Sequence, residues 1–184
     1  MLEHLERAER MIGRDYGLIA DSFRRNRDLF GEPWAIAFND LLRTALSEET
    51  SLRRALTGYT AYAVDQIRWQ ILFQKELKYA SHSYEPANRE VYQNEQYMSN
   101  EYLQGALLNH YLWTHHYRHL LFFTNIFLVE MAAKTDQRFH DVGIGTGFYT
   151  DVVLSNIPGA HGIGWDISPH SLSFARQFLA RHGG

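Results

Sequence analysis

At 184 residues, with 45% apolar and 14% aromatic side chains, the chain can bury the core of one domain or of one and a half, which excludes a disordered protein. A formal charge of -3, with basic residues scattered rather than blocked, excludes an electrostatic footprint for nucleic acid or for an anionic membrane. The lack of cysteine excludes disulfides, thiolate metal sites and a thiol nucleophile, and the charged start "MLEHLERAERMIGRDYG" does not read as a signal peptide, so a soluble, cytoplasmic protein is expected.

Residues 1 to about 134 read as helical. Apolar residues recur every three to four positions in "LLRTALSEETSLRRAL" and in "YTAYAVDQIRWQILFQKELKYA", residues 59 to 80, with loop signals at "GEP" and "SHSYEPANRE". Residues 95 to about 114 predict a further helix rich in Tyr and Leu, and residues 116 to 133 the last. The run "LLFFTNIFLVEMAA" inside it is broken by Thr124, Asn125 and Glu130 and falls short of the roughly 20 residues that span a bilayer, so a buried helix is expected. No strand is predicted in this part.

After Lys134 the pattern becomes strand, glycine turn, helix, strand, helix: "RFHDV", "GIGTG", "FYTDVVLSNI", "HGIGWD", "PHSLSFARQFLARH". The fold class predicted is α-dominated α/β: an all-helical domain over 1–134, serving as cap or oligomerisation domain, followed over 135–184 by the first half of a Rossmann-like parallel sheet. Gly143, Gly145 and Gly147 permit a tight turn and a close approach of backbone to ligand, and the helix behind them offers its positive end. A glycine turn that only ends a strand has the same residues. The spacing is GxGxG rather than the GxGxxG of dinucleotide folds, and Asp141 stands two places before the first glycine. Asp166 closes the next apolar run, where a carboxylate can accept both hydroxyls of a ribose. Ser168 then reads as an N-cap and Pro169 as the first residue of a helix.

On "DVGIGTG" and "GWDISPHSLSFAR" the chain resembles the S-adenosylmethionine-dependent methyltransferases of the Rossmann-like class, over about 45 residues. The resemblance implies that Asp141 lies near the methionine amino group of S-adenosylmethionine and that the backbone of Gly143, Ile144, Gly145, Thr146 and Gly147 holds the methionine part. It further implies that Asp166 binds the ribose and that Ile167 flanks the adenine. A nicotinamide or flavin site uses the same turn physics and stays open as an alternative. The helical part is similar to the caps that small-molecule methyltransferases carry, which implies a small-molecule or carrier-bound acceptor; the scattered charge already leads to the expectation of no nucleic-acid and no membrane partner.

The last helix enters the first strand directly and so runs antiparallel to it. About 17 helical residues rise roughly 25 Å against roughly 17 Å for a five-residue strand, which sets "YLWTHHYRH", residues 111 to 119, above the cleft. Trp113, His116, Tyr117 and His119 are thus candidates for an acceptor pocket, with a histidine as proton acceptor; histidines on amphipathic helices are more often surface or hydrogen-bonded core residues. His115 and His119 share a helical face, but with no HExxH motif and no clear third ligand no metal is expected. Tyr97, Tyr102 and Tyr111 either reach the cofactor or pack between helices. The expectation is an enzyme, or part of one, transferring a methyl group; the alternative is a non-catalytic helical association module with an incomplete nucleotide-binding half. Two parallel strands leave an edge open, so either a longer chain or a homo-oligomer such as a dimer is expected to cover it.

Overall fold

The computed structural model describes residues 2–78 and 83–183. The expected run of the third helix through Tyr79 and Ala80, and the start of the loop at 81–82, lie outside the described residues. The chain is an α-dominated α/β protein with one two-stranded parallel sheet, and among the described residues no strand precedes Arg138.

Helices α1 (Glu3–Asp15) and α2 (Gly17–Ala45) pack as an antiparallel pair. The "GEP" signal marks a kink inside α2 rather than a loop. Gly31 takes φ 65° and ψ -145°, a conformation open to glycine, and Pro33 then falls in the first turn of the resumed helix, where its missing N–H costs nothing. Helix α3 (Glu49–Glu76) begins after a break at residues 46–48, so the stretch 41–56 is divided between two helices. Short helices α4 (Tyr84–Ala87) and α5 (Glu95–Tyr97) alternate with single π-helical turns at Asn88–Tyr92 and Met98–Tyr102, leading into α6 (Leu103–Leu112). Helix α7 (Thr114–Phe122) continues through another π turn, Phe123–Phe127, into α8 (Leu128–Ala132).

Trp113 is extended, at φ -105° and ψ 122°, and separates α6 from α7. The carbonyl of Tyr111, close to this break, accepts hydrogen bonds from two buried side chains of α2, Asn26 Nδ2 at 3.0 Å and Trp34 Nε1 at 2.9 Å. The Thr114 hydroxyl donates to Asn26 Oδ1 at 2.7 Å, so Asn26 is satisfied on both sides. Phe38 stacks on Tyr111 at 4.8 Å and Trp34 meets Phe23 edge to face at 5.3 Å, fixing the break against α2.

Strands β1 (Arg138–Val142) and β2 (His161–Trp165) pair in parallel with Arg138 opposite His161 and Val142 opposite Trp165. They are joined by α9 (Phe148–Asn156), and α10 (Pro169–Leu179) follows β2. Leu128 and Met131 of α8 join Val153, Ile157 and Ala160 in a small core against Phe139 on one sheet face. The opposite face is bare: Val142 is 82% exposed, and Ile163 and Trp165 are exposed beside it. Phe148 belongs to the main core, and Tyr149, Val152, Phe174 and Phe178 pack against it. Helices α9 and α10 rest on the helical layer through these side chains. No helix among the described residues is long and apolar enough to cross a membrane.

Candidate functional site

The turn after β1 is built around three left-handed residues, Gly143 (φ 77°), Gly145 (φ 53°) and Gly147 (φ 79°). The N–H groups of Gly143 and Ile144 both donate to the Trp165 carbonyl at the end of β2, at 2.7 and 2.9 Å, which folds the turn across both strand ends. Gly147 N–H donates to the Ile144 carbonyl, and Gly145 N–H donates to Asp166 Oδ2 at 2.9 Å. The other carboxylate oxygen, Oδ1, accepts from Ser168 N–H at 2.8 Å. A carboxylate has about four lone-pair positions, so each Asp166 oxygen keeps one acceptor direction for a further donor. Gly143 faces open space where a side chain would stand, whereas Gly147 faces Ala175 and Leu179 of α10. Thr146 is buried and its hydroxyl accepts from Phe148 N–H, and Ile144 lies over Gly164.

Asp141 accepts from the Thr150 hydroxyl at 2.7 Å, and Ile167 is exposed directly after Asp166. Ser168 caps α10 by accepting from Ser171 N–H at 3.4 Å, with Pro169 in the first turn. The Ser168 hydroxyl donates to the Tyr92 carbonyl at 2.7 Å, and Gln93 Nε2 donates to the Ile167 carbonyl at 3.4 Å. The helical layer is thus tied to the far side of the glycine turn, a connection that the sequence does not announce.

On the near side, His110 stacks on Phe148, the first residue of α9, with ring centroids 3.8 Å apart. The end of α6 and start of α7 therefore lie at the carboxyl edge of the sheet, where the lengths of helix and strand set them. Of the four candidate pocket residues, Trp113 and His116 are neighbours at 5.4 Å, and the exposed His119 is 6.1 Å from His116. Tyr117 is not brought together with them: it is buried in the helical core, 4.6 Å from Phe30. The extended Trp113 resets the helical phase, so residues 113 and 117 do not share a face. Burial, reinforced by His115 and His119, lowers the pKa of His116 to about 4.

The tyrosines add what spacing alone left open. Tyr62 of α3 meets Tyr102 at 5.7 Å and Trp113 at 5.8 Å, and Tyr97 meets Tyr102 at 6.1 Å. Burial pushes Tyr102 up to about 12, with Tyr62, Tyr92 and Asp166 adding to it. This dependence puts Tyr102 within electrostatic reach of the carboxylate behind the glycine turn. Tyr111 packs in the helical core instead. No group of three or more His, Asp or Glu among the described residues is arranged to hold a metal.

Compared with known proteins, the chain gives no significant match to a family model, a curated protein or a solved structure.

Proposed function

We propose that the glycine turn and Asp166 form an S-adenosylmethionine site and that the protein, or a longer chain containing it, is a methyltransferase for a small-molecule or carrier-bound acceptor. The observation that carries this reading is the hydrogen bond from Gly145 N–H to Asp166. A pyrophosphate needs free N–H groups and a positive field at the turn. Here the N–H groups of Gly143, Ile144, Gly145 and Gly147 already have internal acceptors, and a carboxylate occupies the centre of the turn. That arrangement disfavours a dinucleotide and suits a ligand that brings hydroxyl donors and a positive charge.

When bound, the cofactor supplies an activated methyl group. The chain's own part is positioning and exclusion of water. Asp166 holds the ribose hydroxyls, Asp141 accepts from the methionine amino group beside Thr150, Ile167 covers the adenine, and Trp113, His116 and Tyr102 bound the acceptor side. His116 stays neutral near pH 7, and with so low a pKa it orients the acceptor by a hydrogen bond rather than removing its proton.

The bare sheet face around Val142 and Trp165 favours one further reading, that the protein also associates, with a second copy as the simplest partner. Calorimetric titration with S-adenosylhomocysteine and with NAD tests the cofactor assignment. Tighter binding of S-adenosylhomocysteine supports it, and tighter binding of NAD overturns it.

A further inference from the structure

We propose that the aromatic surface made by Tyr97, Tyr102 and Trp113, backed by Tyr62 and Asn109, binds the ammonium group of an amine-bearing ligand. Resting on the methyl-transfer reading, this makes the acceptor a small molecule anchored through an ammonium group that stays protonated and is not the atom methylated.

Three observations converge. First, the rings form one continuous wall from Tyr97 through Tyr102 and Tyr62 to Trp113, at spacings of 5.7 to 6.1 Å, with Tyr97, Tyr102 and Trp113 half-buried and so open on one side. Aromatic faces carry the negative end of a quadrupole, and a desolvated cation within about 6 Å of such faces is attracted to them. Secondly, the field around the wall is negative. From Glu90 to Tyr117 the chain has no lysine or arginine but has Glu90, Glu95 and Glu101. Tyr97 lies within electrostatic reach of Asp65 and Glu101, and Tyr102 within reach of Asp166. Among the described residues three guanidinium groups contact this region, and all are engaged, Arg68 with Asp65, Arg54 with Asn100 and Arg89 with Glu90.

Thirdly, a buried acceptor stands beside the wall without a donor. Asn109 lies beside Tyr62, and its Oδ1, in a residue only 2% exposed, has no hydrogen-bond partner among the described residues. An orphaned buried carbonyl oxygen is unfavourable, and an ammonium N–H is a donor suited to it. A carboxylate or phosphate ligand would meet the same oxygen, the same ring faces and the same acidic groups with the wrong sign.

The test uses two probes of similar size and opposite charge, phenethylammonium and 3-phenylpropionate, titrated against the full chain by tryptophan fluorescence, with and without S-adenosylhomocysteine. The expected result is saturable binding of the ammonium, tighter than the carboxylate by about tenfold or more. Tyr102→Leu should weaken it by about tenfold, while Tyr102→Phe, which keeps the ring, should hold it within about threefold. A thermal melt checks each variant, and Tyr97→Leu replaces Tyr102→Leu if the latter does not fold. Equal or better binding of the carboxylate, or no loss in a folded Leu variant, overturns the inference. Failure of S-adenosylhomocysteine to bind while the ammonium still does overturns the cofactor reading alone.

Discussion

The ring of Phe139 on β1 covers the backbone of Gly162 on β2 so closely that a β-carbon there would sit 2.3 Å from Phe139 Cζ. Gly164, two residues on, is covered in the same way by Ile144, whose Cδ1 would lie at 2.3 Å. The two glycines of β2 are thus met on one face by side chains supplied by β1 and the glycine turn. The two obstacles differ in stiffness, since Phe139 is wedged against the small core while Ile144 ends in a rotatable methyl group. Gly162→Ala is expected to destabilise by about 1–3 kcal/mol and Gly164→Ala by less, measured by urea denaturation.

Asp166 joins two backbone donors across the turn, and its loss should be felt by ligand and loop together. A hydrogen bond to a charged group contributes about 1.5–3 kcal/mol, so Asp166→Ala should weaken S-adenosylhomocysteine binding by at least about tenfold in calorimetry. Unchanged affinity would remove Asp166 from the site.

Gly145 and Gly147 separate strain from packing. Gly145 meets only the Gly143 carbonyl at 3.8 Å, so a side chain there costs left-handed strain and blocks the ligand's approach. Gly145→Val should abolish cofactor binding while circular dichroism keeps the helical signal. At Gly147 the same strain is joined by contacts of 3.2 Å with Ala175 and Leu179. Gly147→Ala should therefore lower the melting temperature more than Gly145→Ala does.

Burial, with His116 as the lesser cause, lowers the pKa of His110 from 6.5 to about 3. Between those values the unfolded chain binds a proton that the folded one refuses, so stability rises with pH across that range. The contribution of neutral His110 is complete above pH 6.5 and is lost as the pH falls from there towards 3, with a slope of at most about 1.4 kcal/mol per unit. His110→Phe keeps a ring against Phe148 and removes the titration. Denaturant melts at about pH 7.5 and about pH 5 should differ less in the variant than in the parent by roughly 1–2 kcal/mol. An equal difference in both would exclude His110 as the source.

The α/β part was legible because its signals are local. "RFHDV" is β1 residue for residue, the three glycines all take positive φ, and Ser168 with Pro169 opens α10. The helical part was legible as helix but not as a site. A division between helices near residue 115 was legible, close to the break at Trp113, but the side chains that satisfy the Tyr111 carbonyl come from 85 and 77 positions away. Position along the chain groups Tyr117 with Trp113 above the cleft, and the fold does not, because Tyr117 turns into the helical core. Asn109 and Tyr102 carry apolar-looking spacing within a helix, and only the crossing of α3 turns them towards one surface.

The buried bridge from Asn26 to Tyr111 and Thr114 also orders events in time. It closes a span of 85 to 88 residues, whereas α1 and α2 pair across a single residue, so the helical hairpin can form early and the angle between α6 and α7 is fixed only after α2 has docked. Interactions completed that late chiefly set the rate of escape from the native state. Stopped-flow measurements on Asn26→Ala should accordingly show unfolding accelerated far more than refolding is slowed, with the α6–α7 break released from α2 before the hairpin opens.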